Sequence, residues 1–121
     1  MNLENIKENG ANIAVIFSQI PLITDTQSAL DLIMTVKYDT GAQRIAINKE
    51  AIAEEFFILS SGLAGDILQK FINYQIKFAI YGDYSKYTSK PLKDFIYESN
   101  CGKDVFFLAS KAEAVHQLAN V

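Results

Sequence analysis

The amino-acid sequence predicts an α/β domain: a mixed sheet of about five strands covered by about four helices, in the order β-β-α-β-α-β-α-β-α. Three observations carry that expectation. Beyond residue 24, short apolar runs alternate with segments of helical periodicity, a pattern that gives right-handed crossovers and a largely parallel sheet. Near the start, Asn9-Gly10 separates two strand-like runs, which adds an antiparallel strand at one edge. Finally, 121 residues with 50% hydrophobic and 21% charged content fill one core, spanning 1–121 as a single domain, and exclude disorder.

Each element follows from local chemistry. Leu3 to Glu8 and Ala11 to Phe17 flank Asn9-Gly10, and a type I′ turn requires positive φ at both central residues. Thr24-Asp25-Thr26-Gln27 reads as a Thr-x-x-Gln capping box. It opens a helix with Leu30, Ile33, Met34 and Lys37 or Tyr38 on its inner face, ended by Gly41. Arg44 to Asn48 is short and apolar, as a strand buried on both faces should be.

Ser60-Ser61-Gly62 leads into Leu63, Ala64, Ile67, Leu68, Phe71 and Ile72, the apolar stripe of a second helix, with a serine as its N-cap. Ile76 to Tyr81 reads as a strand stopping at Gly82-Asp83. After a polar stretch, a third helix carries Leu92, Phe95 and Ile96 inward, and Asn100-Cys101-Gly102 supplies its C-cap. Val105 to Ala109 is the last strand. Ser110-x-x-Glu113 caps a final helix with Val115 and Leu118 inward.

Charge and composition exclude several functions. A formal net charge of -3 argues against nucleic-acid binding; Lys86, Lys90 and Lys93 cluster, but Asp83, Asp94 and Glu98 interleave with them. One cysteine makes no internal disulfide, and one histidine with one cysteine makes no ordinary zinc site, so no metal is expected. The glycines at 62 and 65 match neither a dinucleotide fingerprint nor a P-loop, so no cofactor is expected. The acidic N-terminus lacks the pattern of a signal peptide, and Ile13 to Phe17 is far shorter than the ~18 residues that span a bilayer. A cytoplasmic location away from the membrane is the expectation.

Three blocks carry a resemblance: Gly62-Leu63-Ala64-Gly65-Asp66-Ile67-Leu68-Gln69-Lys70-Phe71, Gly82 to Lys90, and Asp94-Phe95-Ile96-Tyr97-Glu98-Ser99-Asn100. They resemble the bacterial family called domain of unknown function 4180, which brings no established activity with it. More distantly, the element order is similar to the STAS fold of anti-sigma-factor antagonists. In those proteins Asp-Ser-Ser-Gly-Leu-Gly opens the second helix, and a partner kinase phosphorylates the second serine. The corresponding run here is Leu59-Ser60-Ser61-Gly62-Leu63-Ala64-Gly65, with Leu59 in place of the aspartate. The resemblance therefore implies a STAS-like fold and places Ser61 at the phosphorylated position.

Two candidate sites emerge. The first is Ser60, Ser61 and Gly62, where a helix cap and a phosphate acceptor are compatible, because a phosphate is well placed at a helix N-terminus. The second is the stretch after the fourth strand, with Asp83, Tyr84, Lys86, Tyr87 and Ser89 as binding residues. It leaves the carboxyl end of a parallel strand, where open α/β sheets place ligands, and exceeds the usual ~2–6 residues of such a connection. Its bland reading is a solvated loop whose Thr88 or Ser89 caps the next helix. Asp83 with Lys86, or Ser85 or Ser89 with Lys86, offers no catalytic pattern beyond its composition, so no catalytic residue is assigned. His116 reads as a surface residue and Cys101 as structural, while Tyr84, Tyr87 and Tyr97 offer an aromatic surface.

These readings favour a non-catalytic regulatory or protein-interaction module with an unidentified protein partner, switched by phosphorylation at Ser61. The alternative is a small-molecule-binding domain or enzyme with its site in the loop Asp83–Ser89. The edge strand of the hairpin also invites pairing with a second copy as a homodimer.

Overall fold

The computed structural model describes residues 1–121. Its strands are β1 (Asn2–Glu8), β2 (Ala11–Phe17), β3 (Arg44–Asn48), β4 (Lys77–Tyr81) and β5 (Val105–Leu108); its helices are α1 (Thr26–Thr40), α2 (Leu63–Asn73), α3 (Lys90–Cys101) and α4 (Lys111–Ala119). Asn9 and Gly10 take φ of 53° and 81°, and the hairpin closes on the pair Glu8 and Ala11. β1 runs antiparallel to β2, and β2 to β5 are parallel, in the spatial order β1-β2-β3-β4-β5.

That strand order explains the layering. Each parallel strand is laid beside the one before it, always stepping in the same direction. Right-handed crossovers then put α1, α2 and α3 on one face of the sheet. The larger core forms there: Ile16, Ile45, Ile47, Phe78, Ile80 and Phe107 of the sheet meet Ile33 and Val36 of α1, Ile67 and Phe71 of α2, and Leu92 of α3. Only α4 covers the opposite face, setting Ala114, Val115, Leu118 and Ala119 on Ile13, Val15, Ala46, Ala79 and Phe106. β3 is buried on both faces, as its apolar run requires.

Several local expectations are corrected. α1 is capped by Asp25, not Thr24: Asp25 Oδ1 accepts from the Ser28 N–H at 2.8 Å, and Ser28 Oγ accepts from the Asp25 N–H at 3.0 Å. A carboxylate is the stronger acceptor at a helix N-terminus, and the Ser28 N–H holds it below its ordinary pKa. The inner face of α1 is Ala29, Leu32, Ile33 and Val36, while Met34 and Tyr38 face solvent.

At the head of α2, Gly62 takes the N-cap position with φ 78°, and no side chain caps from there. Three short 3-10 turns, Lys49–Ala51, Glu54–Phe57 and Leu59–Ser61, carry the chain from β3 to α2. They bury Ala51, Phe56 and Phe57. Ile72 lies largely outside the α2 stripe.

Gly102 ends α3 with φ -89°, outside the left-handed region. Asn100 serves β5 instead of the helix end. Its Oδ1 accepts from the Phe107 N–H at 2.7 Å and its Nδ2 donates to the Phe107 carbonyl at 3.0 Å. Cys101 is exposed and unpaired. No helix is long and apolar enough to cross a membrane.

Candidate functional site

The carboxyl ends of β3 and β4 lie side by side, Asn48 opposite Tyr81, so the segments that follow them meet. Asn48 is buried and ties off β2: its Nδ2 donates to the Ser18 carbonyl at 2.7 Å and its Oδ1 accepts from the Ser18 N–H at 2.9 Å. Lys49 comes next. Its side chain passes against Gly82 and is only 8% exposed. The ammonium sits 5.3 Å from the Tyr87 ring centre and 6.0 Å from that of Phe57, and its nearest carboxylate, Glu50, is 3.9 Å away. Aromatic faces thus do much of the work of holding this cation.

The loop after β4 is fastened down rather than free. Tyr84 is half-buried and donates to the Ile80 carbonyl at 2.7 Å; its ring meets Phe107 edge-on and lies near Phe57. The Tyr87 ring stacks on Phe57 with centres 5.1 Å apart. Glu54 Oε1 accepts from the Tyr87 hydroxyl at 2.6 Å and meets Lys86 Nζ at 3.2 Å. Asp83 Oδ1 accepts from the Ser85 N–H at 2.8 Å, an Asx turn that occupies it locally. Ser89 is the N-cap of α3, accepting from the Leu92 N–H, and Pro91 sits in the first turn, where its missing N–H is harmless.

These contacts set the protonation of the cluster. The Tyr87 hydroxyl holds the Glu54 carboxyl below its usual range, with Lys86 and Lys49 adding to the effect. Burial pushes the Tyr84 phenol far above its ordinary value. Burial, then the Glu54 carboxylate, does the same to Tyr87. The Ser85 N–H lowers Asp83. All three ionisable oxygen groups of the loop are therefore committed to a neighbour or to a neutral form.

Ser61 Oγ donates to the Glu55 carbonyl at 3.1 Å and accepts from the Leu63 N–H at 3.2 Å. Ser60 lines an open groove of about 610 Å³ together with Phe57, Ile58, Leu59, Ser89 and Pro91. Its lining is mostly apolar, Ile58 is 54% exposed, and Ser60 and Ser89 supply its hydroxyls. One end of each candidate segment, Ser60 and Ser89, thus shares a groove. Asp83, Tyr84, Lys86 and Tyr87 do not line it, and Tyr97 is 71% exposed outside the ring cluster of Tyr84 and Tyr87. No lysine or histidine side chain hydrogen-bonds to the hydroxyl of Ser60, Ser61, Ser85 or Ser89. No three His, Cys, Asp or Glu side chains gather to hold a metal ion.

Sequence reasoning missed Lys49, Glu54 and Phe57. All three come from the turns between β3 and α2, about a quarter of the chain away from the loop they hold. The available signal was topological: Lys49 directly follows β3, and Gly82 directly follows its neighbour β4.

No curated protein matches the chain, and no solved structure matches it either. One family model does, over residues 8–118, and that span is nearly the whole chain. The chain therefore belongs to the family described as Domain of unknown function (DUF4180).

Proposed function

We propose that the chain is a non-catalytic regulatory domain of the bacterial cytoplasm that docks a protein partner in the groove between the Leu59–Ser61 turn and the start of α3, with Ser61 as its phosphorylation switch. The observation that carries this reading is the groove itself: the apolar side chains of Phe57, Ile58, Leu59 and Pro91 line it together with the hydroxyls of Ser60 and Ser89. A partner segment presenting one or two apolar side chains, flanked by backbone polar groups, fits that chemistry.

The switch works through the turn. Phosphorylation removes the Ser61 proton, so the bond to the Glu55 carbonyl is lost. It also adds about -1.5 to -2 charges in the same short stretch as Glu54 and Glu55. The N-terminus of α2 accommodates that charge. Repulsion between the added charge and Glu54 and Glu55 displaces the turn carrying Ile58 and Leu59, and the groove loses its apolar lining; loss of the Glu55 bond alone leaves the turn in place. The resemblance of Leu59–Gly65 to the phosphorylated run of anti-sigma-factor antagonists supports Ser61 as the target.

A photo-crosslinking amino acid placed at Ile58 in cells tests the reading, with the same group at exposed Tyr38 of α1 as control. The expected result is one crosslinked partner from Ile58, retained in Ser61→Ala and lost in Ser61→Asp. Equal labelling from Tyr38 overturns the groove, and an unchanged crosslink in Ser61→Asp overturns the switch.

A second reading, a small-molecule site at the loop Asp83–Ser89, is favoured by Lys49, whose side chain is 8% exposed and whose nearest carboxylate is 3.9 Å away. An anionic metabolite at 100 times its dissociation constant stabilises the fold by about 2.7 kcal/mol. A thermal shift with nucleotides or sugar phosphates, lost in Lys86→Ala, would decide for this reading.

A further inference from the structure

The two edges of the sheet are treated differently. At the β5 edge, Asn100 takes both backbone groups of Phe107, so an incoming strand finds the middle of β5 already paired. At the β1 edge no side chain hydrogen-bonds to the backbone of residues 2–8, and the strand pairs only with β2. In a two-residue hairpin the closing pair, here Glu8 and Ala11, is hydrogen-bonded, and the pattern alternates from there. The N–H and C=O groups of Leu3, Asn5 and Lys7 therefore point away from the sheet.

We infer that β1 pairs antiparallel with β1 of a second copy about a two-fold axis at Asn5, joining two sheets into one of ten strands. In such a pair, directly opposite residues share a face, so odd positions must meet odd positions, and the outward-pointing groups are all odd. Centring on Asn5 uses every one of them: Asn5 meets Asn5, and Leu3 meets Lys7 twice. Shifting the centre to Glu4 places two glutamates opposite each other, and shifting it to Ile6 sets Glu4 against Glu8. In the Asn5 register no like charges face, since Glu4 meets Ile6 and Glu8 meets Asn2. The amides of the two Asn5 side chains can donate and accept across the axis. Glu4 is drawn back toward α4 by Lys111 at 2.8 Å, and Glu8 also lies toward α4, 3.9 Å from His116 Nδ1.

Sedimentation equilibrium of the full chain is expected to give twice the monomer mass, and Asn5→Pro, which removes an outward N–H that β2 does not use, is expected to restore the monomer with unchanged circular dichroism. The register is tested by Asn5→Cys in a Cys101→Ser background. Opposite hydrogen-bonded residues lie ~5.5 Å apart, within disulfide range, so Asn5→Cys should oxidise to a covalent dimer while Lys7→Cys should not. A wild-type chain that stays monomeric at millimolar concentration overturns the inference. So does a dimer that survives Asn5→Pro or fails to link at Asn5→Cys.

Discussion

A Cβ placed on Gly82 would lie 2.8 Å from the Cβ of Lys49 and 3.7 Å from its Cδ. The carboxyl end of β4 and the first residue after β3 are therefore packed at a distance that only glycine allows. Gly82 also has φ 157°, where L side chains are rarely found. The lysine cannot swing aside, because the contact is made by its Cβ rather than by its flexible end.

Gly82→Ala should consequently destabilise the fold by about 1–3 kcal/mol, the usual penalty of forcing a methyl into a packed site. Urea denaturation measures it. The secondary effect is local: the variant should loosen Tyr84 and Tyr87, read as faster amide exchange in residues 83–88. A variant as stable as wild type would mean that β3 and β4 can part without penalty.

Tyr87→Phe removes the donor that does most to hold the Glu54 carboxyl below its ordinary value of 4.5. A depressed carboxyl stabilises the fold above its unfolded value and loses that contribution as pH falls through the folded one. Because the pair is partly solvated, the loss near neutral pH is expected to be about 0.5–1 kcal/mol. The gap between wild type and variant should then close as the solution is acidified below the carboxylate range. Parallel stability curves across the acid limb would contradict the assignment.

Alkaline titration should separate the tyrosines. Of the six, Tyr81, Tyr84 and Tyr87 are raised above the ordinary value of 10.0, in each case chiefly by burial. A raised phenol contributes stability that is complete below its unfolded value and is lost as pH climbs toward the folded one. Near-ultraviolet absorbance should therefore show three phenols lagging in the native chain, with unfolding setting in above pH ~10. In guanidinium all six should titrate together. A single native step at the ordinary position would remove the burial argument.

Asn100→Ala leaves the N–H and carbonyl of Phe107 without their side-chain partner. The expected loss is about 1–2 kcal/mol in chemical denaturation. It also bares a second sheet edge. Light scattering should then detect species larger than those of the wild type, and their absence would show that α3 alone shields β5.

Parts of this structure were legible in the residues and parts were not. The hairpin was, because Asn9-Gly10 is one of few pairs that accept positive φ twice in succession. So were β3 and the order of elements, since a short apolar run between two amphipathic stretches has few other places to go. The phase of α1 was not. Ala29, Leu30, Leu32, Ile33, Met34, Val36 and Tyr38 surround the helix, so periodicity allowed more than one inner face and the packing against the sheet decided it. The three 3-10 turns before α2 have no period to read. The cluster of Lys49, Glu54 and Phe57 with Tyr84 and Tyr87 was hidden for another reason: its members are brought together by strand adjacency, and no spacing along the chain encodes that.

The single helix on the second face has a consequence for synthesis. Each strand pairs with the one made just before it, so the sheet and its first three helices can dock in the order in which they leave the ribosome. Ile13, Val15, Ala46, Ala79 and Phe106 cannot be covered that way, because their partners are Ala114, Val115, Leu118 and Ala119 of α4. At ~5–20 residues per second, the nascent chain spends several seconds with that apolar face wet. Folding is completed only when α4 closes over it, so a ribosome paused before Lys111 would hold a sticky intermediate for nascent-chain chaperones to engage.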